Sequence, residues 1–188
     1  MDTLDFLSKT LPAYGNYCLV LTTVETDSRG RPYKVHIPYS DLETMAAALP
    51  RLERNPKYTA VYHACGSYQR PYIELDEISE KTGKPKRKYR VPENTAEARA
   101  FWLDIDCGED KAAKGKGYPT QKDAAKAVVT FAKQIGWPTP MMVSSGYGLH
   151  CYWPLEESIA ADEWRATAKW LKSATTHFRL LADPSQSR

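Results

Sequence analysis

Phe101-Trp102-Leu103-Asp104-Ile105-Asp106 is the stretch on which the fold turns. An apolar run ends in two carboxylates two residues apart, and side chains along a strand alternate between its faces. Read as a strand, it sends Trp102, Asp104 and Asp106 one way and Phe101, Leu103 and Ile105 the other, where they can pack on helices. Two like charges on one sheet face repel, and burying them unpaired is costly. A hard divalent cation such as Mg2+ or Mn2+ removes that cost, because carboxylate oxygens are its preferred ligands. The competing reading is a pair of solvated aspartates at a strand end.

Working outward from this strand, the chain shows a β-α-β-β-α-β rhythm. After 100–106 comes a Gly/Lys-rich loop, then Thr120 caps a helix through Val128, Phe131 and Ile135, closed by Gly136 and Pro138. Residues 141–145 form a strand, Ser145-Gly146-Tyr147-Gly148 turns it back, and 149–153 returns until Pro154 ends it. A long helix carries Trp164, Ala168, Leu171 and Phe178 at core spacing, and 179–183 is a last short strand ended by Pro184. This is an α/β (α+β) arrangement of the ferredoxin-like or RRM-like kind. Its usual strand order, 4-1-3-2, sets the first strand between the third and the fourth. Asp104 and Asp106 are then expected beside His150 on one neighbour and Asp183 on the other.

Carboxylates, a histidine and a Gly-containing turn at one point suit metal-assisted phosphoryl transfer, with two Mg2+ or Mn2+ ions about 3.5–4 Å apart. Ser144, Ser145, Gly146 and Gly148 offer hydroxyls and unencumbered N–H groups of the sort that hold a triphosphate, although a hairpin turn also favours glycine. His150 could donate to a phosphate oxygen. Lys111, Lys114 and Lys116 follow the first carboxylates and could reach phosphate or template, or simply be solvated. Asp183 is preferred as third acid over Asp110, in a loop, and over Asp162 and Glu163, which open a helix where negative charge is favoured anyway.

Residues 1–99 form a small α/β module. Thr3 caps a helix that ends before Pro12, 17–24 is a buried strand, and 33–39 returns after an Asp-Ser-Arg-Gly turn. Ser40-Asp41-Leu42-Glu43 is a capping box opening a helix that stops at Pro50, and 58–65 is the next strand. His36 and His63 are structural or surface residues. In 66–92 Gly83 and Pro85 break the pattern, while Lys81, Lys84, Lys86, Arg87, Lys88 and Arg90 crowd together near Tyr72 and Tyr89. This is either a solvated loop or a phosphate-contacting arm whose tyrosines stack on bases.

With 188 residues and 42% hydrophobic content the chain can bury a core as one domain or two modules. Its net charge of +3 is too mild to identify a nucleic-acid binder, so local charge matters more than the sum. The four cysteines form no C-x-x-C pair, which argues against a zinc site or disulfide framework. An acidic N-terminus and the lack of an apolar run near ~20 residues point to a soluble intracellular protein without a membrane anchor.

Four segments carry a family resemblance: Phe-Trp-Leu-Asp-Ile-Asp-Cys-Gly, Gly-Lys-Gly-Tyr-Pro-Thr, Val-Ser-Ser-Gly-Tyr-Gly-Leu-His-Cys-Tyr-Trp-Pro-Leu and Leu-Ala-Asp-Pro. Together they resemble the archaeo-eukaryotic primase superfamily, most closely the phage and plasmid primase-polymerases, from about Arg99 onward. The resemblance implies a palm-type catalytic module over 100–188, with Asp104, Asp106 and Asp183 as metal ligands. Ser145 through His150 match the phage-type Ser-Gly-x-Gly-x-His motif, implying nucleotide contacts there, with Ser144 and Lys116 beside them. A DNA primase or polymerase follows as the implied activity, using dNTPs or NTPs on single-stranded DNA in the cytoplasm of a bacterial host. A helicase region or partner is also implied. Such proteins continue into an Arg-x-Pro-Gly-Thr-x-Asn segment after the third acid, so a catalytic core cut short at its C-terminus is expected. Two rivals use the same residues: a metal-dependent nuclease, and a non-catalytic RRM-like nucleic-acid-binding module.

Overall fold

Tyr17–Thr26 (β1) begins with six consecutive buried residues, and a strand buried on both faces belongs in the middle of its sheet. Pro32–Tyr39 (β2) and Tyr58–His63 (β3) flank it, both antiparallel, in the order β2-β1-β3. These strands belong to the first of two compact units in a computed structural model that describes residues 1–80 and 82–183. The units are Met1–Ala98 and Arg99–Arg188. Helices mixed with antiparallel sheets make the protein α+β.

In the first unit Tyr17, Leu19 and Leu21 of β1 share a core with Leu7, Leu11, Leu42, Met45 and Leu52, which lie on or beside Thr3–Thr10 (α1) and Leu42–Glu53 (α2). Cys18 and Val20 pack on the opposite side with Ala64 and Tyr68. Both helix starts differ from expectation. Asp2 rather than Thr3 caps α1, accepting the Asp5 N–H, and Asp41 accepts the Thr44 N–H at 2.6 Å to cap α2. Pro50 does not end α2. It removes one backbone bond near the helix end, and buried Leu52 holds the remaining turn in the core. His36 stacks on Tyr89 and His63 meets Phe6 edge-on, so both histidines pack in this unit.

The stretch 66–92, expected to lack regular structure, contains Ser67–Tyr68 (β4) and a hairpin of Ile73–Ile78 (β5) with Pro85–Lys88 (β6). The two expected breakers build its turn. Gly83 takes φ +63, and Pro85 is the first residue of β6, where a missing N–H costs little. Lys86 pairs with Glu77 at 2.8 Å and Arg87 with Glu74 at 3.0 Å. Arg87 also lies 4.0 Å over the Tyr72 ring. The basic residues are therefore partly neutralised, and Tyr72 and Tyr89 already have ring partners. Lys81 lies outside the described residues.

Thr95–Asp106 (β7) starts in the first unit, where Glu97 pairs with Ser67, and continues into the second. There follow Glu109–Ala113 (α3), Gln121–Gln134 (α4), Met141–Ser144 (β8), Gly148–Ala160 (β9) and Ala161–His177 (α5). The order β7-β9-β8 places the first, third and second of the expected strands as anticipated. Ala100 and Phe101 are buried in succession, a change of phase such as a bulge makes. Beyond it Phe101, Leu103 and Ile105 are buried and Trp102, Asp104 and Asp106 half-buried. Trp164 of α5 stacks on Phe101 and Trp102, and its indole N–H donates to the Ala100 carbonyl at 2.9 Å. Thr120 caps α4 by accepting the Asp123 N–H. β9 runs on through Pro154, because its last β8 partner is Met141 opposite Tyr152 and no ladder bond on that side needs the missing N–H.

The expected fourth strand at 179–183 is absent. Arg179 turns the chain at φ +57, and the Ala182 N–H bonds locally to the Leu180 carbonyl, so a ladder lacks donors. Tyr118 already occupies the β7 edge, donating its N–H to the Asp106 carbonyl and accepting from Gly108. The Asp183 N–H donates to the Asp104 carbonyl at 2.9 Å and ties 180–183 to β7. Pro184 lies outside the described residues. Among them, no helix is long and apolar enough to cross a membrane.

Candidate active site

Period-two alternation puts Asp104 and Asp106 on one face at the end of β7, and the Asp183 amide bond brings the third acid to the same strand. Burial raises the Asp104 carboxyl above its ordinary range; His150 pulls it down, Asp106 and Asp183 push it further up, and Lys111 pulls it down. Three acids, a histidine and a lysine therefore share one electrostatic neighbourhood. The His150 Nε2 atom stands 3.7 Å from Asp104 Oδ1, beyond hydrogen-bonding range but close enough for strong charge interaction. Lys111 Nζ donates to Asp106 Oδ2 at 2.7 Å, and that bond, followed by the charges of Asp106, Asp104 and Asp183, raises the lysine's own pKa.

Backbone packing holds the elements in register. Gly148 begins β9 directly against β7, where a Cβ would collide with the Ile105 carbonyl oxygen. Arg99 at the other end of this segment donates to the Leu155 and Glu156 carbonyls, so β7 and β9 run in opposite directions. Gly117 is similarly pressed on the Asp106 carbonyl, which lets the loop after α3 fold back on the strand end. The Tyr118 hydroxyl accepts the Leu181 N–H at 3.2 Å, tying the segment that carries Asp183 to that loop.

The glycine turn is built as closely. Ser145 N–H donates to the Gly148 carbonyl at 3.0 Å, and Gly146 takes φ +87. Cys107, immediately after Asp106, donates its N–H to the Tyr147 carbonyl at 2.9 Å. Gln121, first residue of α4, clamps the turn through Nε2, donating to Ser144 Oγ (2.9 Å), the Gly148 carbonyl (3.1 Å) and the Gly146 carbonyl (3.3 Å). Ser144, Ser145 and Gly146 are exposed, whereas Gly148 is buried by its strand contact.

His150 thus lies near Asp104, and the Asp183 backbone is tied to the same strand, with the turn carrying Ser144, Ser145, Gly146 and Gly148 hydrogen-bonded to that strand end. Lys116 is not drawn in: it is exposed, and its amide N–H donates to the Lys111 carbonyl. Lys111 is the lysine that meets the acids. The sequence does not single out Gln121 or Tyr118, because neither a cap-adjacent glutamine nor a loop tyrosine has a spacing that announces its partner.

Three carboxylates with hard oxygen donors and an excess of negative charge fit Mg2+ or Mn2+ by chemistry. Among the described residues, no three His, Cys, Asp or Glu side chains are gathered as a ready metal site, and Lys111 occupies one Asp106 oxygen. No protein-family model, curated protein or solved structure matches the chain.

Proposed function

We propose that the second unit is the catalytic core of a template-directed nucleotidyltransferase, a DNA primase-polymerase that joins nucleotides with Mg2+ or Mn2+. The approach of His150 to Asp104, 3.7 Å, carries the reading, because it unites the Asp-x-Asp strand with the Ser-Gly-x-Gly-x-His turn. Asp104, Asp106 and Asp183 would hold the metal, which supplies positive charge to the attacking and leaving oxygens. Positioning is the remaining task of the protein in such a transfer. A primer 3′-hydroxyl gives up its proton to water as its oxygen bonds the α-phosphorus, while the bond from that phosphorus to the bridging oxygen breaks and pyrophosphate leaves. His150, steadied by the Asp104 carboxylate, donates to a phosphate oxygen. The hydroxyls and backbone N–H groups of 144–148 receive the triphosphate, held in shape by Gln121. Single-stranded DNA would be the template, in the cytoplasm of a bacterial host of a phage or mobile element and beside a helicase region or partner, as the sequence resemblance implies.

A labelled primer–template with dNTPs or NTPs and either metal tests the proposal. Elongation by the native chain is expected, with its loss in Asp104→Asn and Asp106→Asn variants whose circular dichroism is unchanged. Shortening of the substrate without nucleotides would establish the nuclease instead. DNA binding with neither activity would leave a binding module.

A further inference from the structure

We infer that Lys111 is the resident cation of the carboxylate cluster: its ammonium holds Asp106 in the metal-free protein and must leave that carboxylate before a divalent ion can be held there. The inference rests on the proposed metal role of Asp106. Geometry supports it first. The Nζ to Oδ2 distance of 2.7 Å is that of a charge-assisted hydrogen bond, and the donor comes from the short helix that directly follows the acidic strand. The charges of Asp104 and Asp183 also act on Lys111 and help to hold its ammonium protonated. His150 stands near Asp104 at 3.7 Å, without a hydrogen bond. Asp106 is therefore matched by a basic side chain of the chain itself.

The partner is built to be exchangeable. The two side chains are 48% and 44% exposed, and exposed pairs of this kind are weak. Lysine presents a point charge on a flexible four-carbon stem, so it can leave by side-chain rotation alone, with no demand on the backbone. The backbone is anchored meanwhile: Lys111 donates its N–H to the Gly108 carbonyl, and its own carbonyl accepts from Lys116. A divalent ion brings two charges where the ammonium brings one, so it attracts the freed carboxylate more strongly. It also follows that the lysine weakens apparent metal affinity, most strongly at low salt.

Mn2+ binding to the full chain at low ionic strength, followed by the electron spin resonance of free Mn2+, tests this with Lys111→Met, Lys111→Arg and Lys114→Met. Lys111→Met is expected to bind Mn2+ about two- to fivefold more tightly, the cost of displacing an exposed ion pair. Lys111→Arg, which keeps the charge, and Lys114→Met, which removes a charge elsewhere on the loop, should bind as the native chain does. In EDTA, Lys111→Met should melt below the native protein, because the acids then repel without a counter-charge. Equal or weaker Mn2+ binding by Lys111→Met, the same gain in Lys114→Met, or an unchanged melting point in EDTA would overturn the inference while leaving the metal site standing. Absence of Mn2+ binding in every form would overturn both.

Discussion

Burial pushes the Asp104 carboxyl above its ordinary range, His150 pulls against it, and Asp106 and Asp183 push it further. This has a definite sign for stability. The folded protein holds that proton more tightly than the unfolded chain does, so stability falls as pH rises from the ordinary aspartate range through the raised folded value. Above the raised folded value the penalty is fully present, reduced by the side chain's 48% exposure. Without divalent ions, Asp104→Asn should therefore melt at the same temperature as the native protein or higher at pH 7. The difference should vanish below the ordinary aspartate range, where both side chains are neutral. Melting curves from about pH 3 to 8 check this, and a variant less stable at pH 7 would mean the carboxylate stabilises the fold. His150→Ala is expected to weaken nucleotide binding roughly ten- to a hundredfold, the worth of one charge-assisted hydrogen bond, while DNA affinity stays near native. Titration with each ligand separates the two. The positions of Asp104 and Asp106 are legible in the sequence because a strand's period of two is rigid. Lys111 is not distinguishable there from its neighbours, since its reach depends on a five-residue helix that no hydrophobic pattern marks.

Among the elements, the turn 144–148 depends on partners far apart in the chain. Gln121→Ala removes three hydrogen bonds from a partly exposed position, so the fold should survive while nucleotide affinity drops several-fold. Unchanged affinity would show that the turn holds itself. Gly148→Ala acts differently, forcing a methyl group into the Ile105 carbonyl and parting β7 from β9. The expected loss of stability is about 1–3 kcal/mol, readable in a denaturant melt. The cap of α4 and the strands around Asp104 and His150 follow local rules, and the sequence shows them. Pro50, Gly83, Pro85 and Pro154 read as stops in the sequence, yet each sits where the missing N–H costs little or the positive φ is wanted. Whether a breaker breaks depends on which partner faces it, and that is a tertiary fact. The same holds for 180–183, whose apolar run suggests a strand but whose edge position is already filled by Tyr118.

Across the whole molecule the net charge of +3 hides an uneven distribution. Lys86 and Arg87 are paired with acids on the hairpin, whereas Lys84 and Lys88 are exposed beside them. If this region meets DNA, neutralising Lys84 and Lys88 should lower the slope of log K against log salt by about 0.7 for every phosphate of a single strand that either lysine had neutralised. Neutralising Lys86 and Arg87 should change it less, because their charges are already balanced. Equal effects, or none, would remove the hairpin from the DNA-binding surface. The boundary between the two units falls between Ala98 and Arg99, inside β7. Proteases cut extended, unpaired chain, and this junction is a strand whose two ends are held in separate pairings, to β4 on one side and beside β9 on the other. Limited digestion should therefore spare it. Dividing the chain at this boundary would therefore cut through β7 and not through a linker.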